Sequence, residues 1–420
     1  RVGDEGPCNL EPLAHAAAAR GAAAAEAQTA AQEAAQQAQA AAADKTARAV
    51  LPAFGRAQVF DENLETLGRA PNAIVNGRPE FATTDATPVF GAAVGDYVRA
   101  AGDPALIFGE PDYWFKTVFA TRGLYGENTR RNALVDSLGF LRAGAGETWM
   151  SELDRTGTPV ETQGALVRHL RAMGRFARIM RVTQRAGEFE ARADALEQRL
   201  VQTYFSDRTA PLDRLDRGGR PDETLRPNAL IALADLDLDP ELERQATRRL
   251  AEALAYEHGV GTQAQTDSTT FYPYLRAPEF FEPPRAAFRG PAWAAHAAPR
   301  VRLMVKQGGT AAALTLTQAQ AALLLDQGAV GGLPAVVDAH PHPGENRPRM
   351  GGSPVDLHAL TGFVGNAWQD YLGARYATAN RLVLEPRMPA HWGTTAARLR
   401  LGDGFVRATV TQTASAQSLG

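Results

Sequence analysis

Apolar positions recur at intervals of three and four along much of this chain, which predicts helices separated by long polar or Gly/Pro-rich connections. Asp85 opens one such pattern, ATPVFGAAVGDYVRAAGD, closed by Gly102. Residues 129–141 read as a further turn of helix, and 162–206 as two strongly periodic helices. A pair follows over 226–236, after LRPN, and 240–257, after DLDLDP. From Val301 to Leu325 the signal is weaker, with one helix over 310–325, and 354–373 is the last clear helix. The alternation then changes to period two between Arg381 and Val410, which predicts paired strands about the turn Gly402-Asp403-Gly404. Between Leu51 and Phe90 the chain is loop-rich, broken by prolines and glycines. The stretch 328–352, GAVGGLPAVVDAHPHPGENRPRMGG, is a long loop of the kind that is either functional or disordered.

A chain of 420 residues exceeds the size at which one compact core usually stops growing, with helical rings the usual exception. The pattern suggests a mainly α ring of helical hairpins over 51–380 with a β-rich segment over 381–420 packed on it. Residues 1–50 form an extension in which 14–49, an Ala/Gln/Glu tract, reads as one long helix. That helix has almost no large apolar side chain, so it is expected to lie on another surface, dock a protein partner or link two bodies. The alternative is a frayed low-complexity extension.

Charge narrows the partners. The net charge is −3 with acids and bases interspersed, which leaves no electrostatic footprint for nucleic acid or an anionic membrane. Small neutral ligands remain. Cys8 is the only cysteine, so neither an intrachain disulfide nor a thiolate metal cluster can form. No charged, apolar leader pattern opens the sequence and no run of 18 apolar residues occurs, so no membrane span is expected. The expected compartment is the cytoplasm; the start at Arg1 leaves a processed, exported form as the alternative. No cofactor is implied.

Candidate chemistry gathers between Gly139 and Gln163, where Glu147, Trp149, Glu152, Asp154 and Glu161 surround a Gly-rich turn. An indole face stacks on the apolar face of a pyranose, and carboxylates accept hydrogen bonds from hydroxyls or move protons. The bland alternative makes Trp149 and Met150 core and the acids a solvated rim. Elsewhere, His340, His342 and Glu345 in HPHPGE carry ligating atoms, but the intervening prolines splay them and no metal site is expected. Asp235, Asp237 and Asp239 read as turn and N-cap residues, and Asp338 as a loop cap.

NAIVNGRPEFATTDATPVF, FLRAGAGETWM, GTPVETQGAL, LRPNALIAL, YEHGVGTQAQTD, GAVGGLPAVVDAHPHPG, NAWQDYLGARY and LEPRMP together resemble, in order, the C-terminal glucosidase domain of glycogen debranching enzymes, the amylo-α-1,6-glucosidase type. The resemblance covers most of residues 50–405. It implies an (α/α)6 toroid of the glucoamylase type, inverting chemistry on α-glucan branches, and a preceding β-rich domain. It further implies that Asp85, Trp149, Glu161, Arg226, Asn228 and Trp293 line the sugar-binding end.

The same resemblance exposes a deficit. The family's general acid follows Thr-Trp-Met, and here that residue is Ser151; its base follows Gly-Leu-Pro, and here that residue is Ala335. Inverting hydrolysis needs two carboxyl groups, and neither a hydroxyl nor a methyl can replace them. The family's Ala-Tyr-His-Asn-Gly-x-x-Trp is AAFRGPAW here, retaining only Gly290 and Trp293 of its polar and aromatic set. The preferred expectation is therefore a non-catalytic relative that binds glucan, or a structural subunit that serves a protein partner. The alternative is an active α-1,6-glucosidase using displaced carboxylates, with Glu152 or Glu147 as the acid.

Overall fold

The computed structural model describes residues 46–60, 67–101, 112–126, 134–206, 210–266, 271–275, 284–378, 380–401, 404–413 and 416–419. The Ala-rich helix expected over 14–49 lies outside them, except that 46–49 begin a helical stretch over 46–56. The hairpin β1 (Ala73–Val75) and β2 (Arg78–Glu80) leads into α1 (Ala86–Ala101) and α2 (Tyr113–Leu124). A short strand β3 (Thr158–Pro159) enters α3 (Val160–Ile179), which is followed by α4 (Thr183–Leu200). Strands β4 (Arg214–Leu215) and β5 (Pro221–Asp222) then pair back onto β3. Next come α5 (Asn228–Leu233), α6 (Pro240–Leu254), β6 (Ala255–Tyr256), β7 (Gly259–Gly261), β8 (Ala292–Trp293), α7 (Ala297–Lys306) and α8 (Thr310–Ala322). Strands β9 (Val336–Val337) and β10 (Met350–Gly351) precede α9 (Leu357–Gly365), and the chain ends in β11 (Ala374–Thr378), β12 (Arg381–Leu384), β13 (Thr394–Leu401), β14 (Gly404–Thr413) and β15 (Ala416–Leu419).

The helices are arranged as a toroid. Among the described residues, α1, α3, α5, α7 and α9 touch one another in that order, and β11 lies against α1, so the row closes on itself. Outer helices back it: α4 packs on α3, α6 on α5, and α8 on α7. The reason α3 sits inside is its sequence. Leu166, Val167, Leu170, Met173 and Phe176 repeat at three and four and are all buried, against Val94 and Val98 of α1 and Leu196 and Leu200 of α4. Small residues bring α1 and α3 close. A Cβ on Gly91 would lie 1.9 Å from Nδ1 of His169, so no larger side chain fits there without displacing the imidazole.

Three expectations need correction. The turn of helix expected over 129–141 is absent from 134–141, where Val135 and Leu141 form an antiparallel bridge. Asp136 causes this: its carboxylate accepts from the backbone N–H of Leu138 and of Phe140, both at 2.9 Å, which satisfies donors that a helix would otherwise hold. The weak pattern after Val301 belongs to a regular helix, α7, which tolerates Pro299 because the missing N–H falls in the first turn. Finally, 328–352 is not only loop. It contributes β9 and β10 to an antiparallel sheet of order β10-β9-β8-β7-β6, in which Val336 pairs with Trp293.

The C-terminal strands form as expected, with β13 pairing β14 from Thr394–Thr411 to Leu401–Gly404. Gly402 and Asp403 of the turn lie outside the described residues. Ala397, Leu399, Ala408 and Val410 from these strands share a core with Val301 and Val305 of α7, so the sheet rests on the ring. No helix among the described residues is long and apolar enough to cross a membrane.

Candidate functional site

The inner helices place their first residues at one end of the ring, and the loops there carry the aromatic cluster. Trp149 rides on a loop fastened at both flanks. Ala143 and Gly157 bridge its base. The Glu147 carboxylate accepts from Thr84 Oγ1 at 3.0 Å and from Gly144 N at 2.7 Å, while its carbonyl accepts from Thr84 N. Glu147 thus fastens this loop to the segment that opens α1. Met150 points into the core, fully buried, and Ser151 and Glu152 are exposed.

Beneath Trp149 lies a buried polar network. The indole Nε1 donates to Asn228 Oδ1 at 2.7 Å, and Asn228 Nδ2 donates to Asp213 Oδ1 at 2.7 Å. Asp213 is then gripped by Arg155, through Nε to Oδ2 at 2.9 Å and Nη2 to Oδ1 at 3.0 Å. The other side of the guanidinium holds Glu161, with Nη1 on Oε1 and Nη2 on Oε2 at 3.0 Å. Arg226 Nε stands 3.8 Å from Asp213 and its Nη1 donates to the carbonyls of Thr262 and Phe288. Arg155, Glu161, Asp213 and Asn228 are all buried, so these charges are worth keeping only because each is bonded.

Burial alone would disfavour the Arg155 charge, but Asp213 and Glu161 outweigh it and hold the guanidinium ionised. Burial pushes Glu161 above the usual carboxylate range, with Arg155 pulling the other way and Asp213 adding repulsion. One guanidinium serving two carboxylates leaves the second partly uncompensated. Asp85 is also raised by burial, against the opposing hydrogen bond from Thr83 and the field of Arg155. It stands at the start of α1, facing this network.

Above the network the aromatic rings close on one another. Trp149 meets Phe288, Trp293 and His296 edge-on at centroid separations of 5.7, 5.3 and 4.5 Å, and Phe288 stacks on Trp293 at 5.4 Å. His296 is buried, and that burial drives its pKa down to about 3, so the ring is neutral. Ala335 packs in the small apolar cluster that touches Trp293. The loop of Trp149 and the segment of Ala335, just before β9, therefore meet at the Trp293 indole. Trp149 and Trp293 are half-buried and keep open surface, whereas Glu161 and Asn228 lie below it. Asp338 is buried and ties loops together, accepting from Leu275 N at 2.5 Å and facing His342 Nε2 at 2.8 Å. His340 packs edge-on against Tyr256, and Glu345 pairs with Arg349.

Of the residues the sequence singled out, Trp149, Asn228, Arg226, Glu161 and Trp293 come together here with Asp85 at the start of α1, and they are joined by Arg155, Asp213, Phe288 and His296, which the sequence did not single out. Arg155 carried a faint signal, a lone base between Asp154 and Glu161, yet its main partner is 58 positions away. Asp154, the other acid in that loop, is exposed and spends its carboxylate on the backbone N–H and hydroxyl of Thr156.

The family model described as "Amylo-alpha-1,6-glucosidase" matches residues 45–346. No curated protein matches the sequence. Among solved structures, the chain is similar to a sialidase, with TM-score 0.59 and 12% identity over 80% of this chain and 30% of that one. It is similar to a GH78 family rhamnosidase of Bacillus sp. GL1, with TM-score 0.54 and 16% identity over 81% and 32% of the two chains. It is also similar to an uncharacterized conserved protein from Thermus thermophilus, with TM-score 0.51 and 14% identity over 74% and 90%. The chain spans about a third of the sialidase and of the rhamnosidase. At such identities these likenesses show the toroid fold alone.

Proposed function

The chain belongs to the amylo-alpha-1,6-glucosidase family, and from that premise we propose that it is a non-catalytic member that holds an α-linked gluco-oligosaccharide on the aromatic end of its ring. One observation carries the reading. The two segments to which the family resemblance assigns acid and base both reach Trp293, one through Trp149 and the other through Ala335, and the residues at the acid and base positions are Ser151 and Ala335 instead of carboxyl groups. Neither side chain can protonate a glycosidic oxygen or activate water.

Three of the other carboxylates nearby have structural work. Glu147 is committed to Thr84 and Gly144, and Glu161 and Asp213 to Arg155. Glu152 is exposed beside Ser151, one residue out of register, and adjacent side chains on a loop do not share a direction. What supports binding is the half-buried indole pair, Trp149 and Trp293, with Trp149 fixed by Asn228. In this reading Trp149 and Trp293 touch sugar, Asp85 accepts hydroxyls, and Asn228, Arg226 and Glu161 position them from below. No cofactor or metal takes part.

Calorimetric titration with maltotetraose tests this. Saturable binding that weakens at least tenfold in Trp149→Ala, on the order of 1.4 kcal/mol, is expected. Heat that is absent at millimolar sugar would instead favour a role for this ring in holding a protein partner.

A further inference from the structure

A second cavity opens at the other end of the ring. Its volume is about 870 Å³, and its walls come from the later turns of the inner helices and the segment that completes the ring, including Arg99, Arg168, Arg171, Arg175, Asp96 and Asp235. Arg175 is 14 residues beyond Glu161 on the same helix, which is about 21 Å along the axis at 1.5 Å per residue. The cavity and the aromatic cluster are therefore separate sites, and the inference does not depend on what the aromatic end binds.

Most charges in the cavity are matched. Arg168 bridges Asp96 at 2.9 Å and Asp235 at 3.1 Å, Arg99 pairs with Asp96 at 2.7 Å, and Arg171 pairs with Glu197 at 2.8 Å and Asp194 at 2.5 Å. Other cations there serve helix ends: Arg302 donates to the carbonyl of Ala234 and Arg387 to that of Lys306. Arg175 does neither. It is half-buried and makes no ion pair or hydrogen bond among the described residues. Its neighbours include three other guanidiniums, those of Arg99, Arg168 and Arg171, with Asp96 as the opposing charge. One guanidinium is thus left without a protein partner on the wall of a polar hollow, among like charges.

We propose that this cavity binds a sugar phosphate, with the phosphate seated on Arg175 and the sugar hydroxyls received by Asp96 and Asp235. A guanidinium grips a phosphate through two parallel hydrogen bonds, and a dianion suits a place where several guanidiniums meet. The volume exceeds what phosphate alone would fill and falls in the range of small-molecule sites. The carboxylates on the wall, already held by arginines, have acceptor positions left for hydroxyls.

The test is calorimetric titration of the full chain at constant ionic strength with inorganic phosphate, glucose 6-phosphate and gluconate. Glucose 6-phosphate is expected to bind at least tenfold more tightly than inorganic phosphate, and gluconate more weakly than glucose 6-phosphate. Arg175→Gln should lose at least tenfold for both phosphate ligands, while Arg178→Gln, an exposed residue paired with Glu190, should leave them unchanged. Without ligand, Arg175→Gln should melt at the same temperature as the parent or higher, since it removes an uncompensated charge. Any of four results overturns the proposal: no saturable binding at millimolar concentration, equal affinity in Arg175→Gln, no preference for the sugar phosphate over inorganic phosphate, or a lowered melting temperature for the unliganded variant.

Discussion

Replacing Arg155 by methionine removes the centre of the buried network while keeping most of its volume. The guanidinium is 2% exposed, and five hydrogen bonds to Asp213 and Glu161 are lost together. What remains is two carboxyl groups facing each other out of water. Asp213 keeps its bond from Asn228 Nδ2 at 2.7 Å, so Glu161 is the less compensated acid. Removing one partner of a buried ion pair costs on the order of 3–5 kcal/mol, a large part of a typical domain's net stability. The loss should also depend on pH. With Arg155 gone, the folded-state pKa of Glu161 rises further above its unfolded value, so the protonated acid favours the folded state. The deficit is therefore greatest above that raised pKa and shrinks as pH falls, by up to about 1.4 kcal/mol per unit. Urea unfolding followed by tryptophan fluorescence, for parent and variant at about pH 8 and about pH 5.5, measures both effects. A loss under about 1 kcal/mol, equal at the two pH values, is the behaviour of an exposed pair and would show that Arg155 does not hold two buried charges.

Other outcomes follow from the same packing. Gly91→Ala should destabilise by about 1–3 kcal/mol, because its methyl meets the His169 ring, and the melting temperature should fall. His169 and His296 have folded-state pKa values pushed down by burial to about 4 and about 3. Both lie below the unfolded value of about 6.5, so their contribution to stability is complete above that pH and declines as pH falls toward the folded values. An acid titration of the melting temperature should show this decline, and replacing His169 by Gln should make it shallower. Asn228→Ala should free the Trp149 indole and shift tryptophan emission, and it should weaken maltotetraose binding in parallel with Trp149→Ala.

The long helices were legible because their cores are made by apolar residues on one face. Leu166, Leu170 and Met173 announce α3, and Asp239 announces α6, whose first turn it caps through Glu241 N and Leu242 N. What escaped was set by local chemistry or by distance. Asn76-Gly77 folds a two-residue hairpin with φ of 50° and 78°, a signal hidden in apparently loop-rich ground. Strands β8 and β9 are two residues each, too short for any period to register. At the site, Trp149 was visible as an aromatic among acids. The Arg155–Asp213 pair was not, since only the paired strands β3 and β4 bring the two together. The acids beside Trp149 read as a possible sugar rim, yet Glu147 and Asp154 are spent on their own loops. The arginine-lined cavity has no sequence signature, because α1, α3 and the segment after α5 each supply only a part.

Whether the ring is catalytic is tested by release of glucose from isomaltose by the full chain, compared with buffer and with Glu147→Gln and Glu152→Gln. On the proposed reading, in which Ser151 and Ala335 stand at the positions that the family resemblance gives to acid and base, none of the three proteins should give turnover above buffer. Turnover by the parent that disappears in either variant would contradict the account, since a displaced carboxyl group would then be performing the proton transfer.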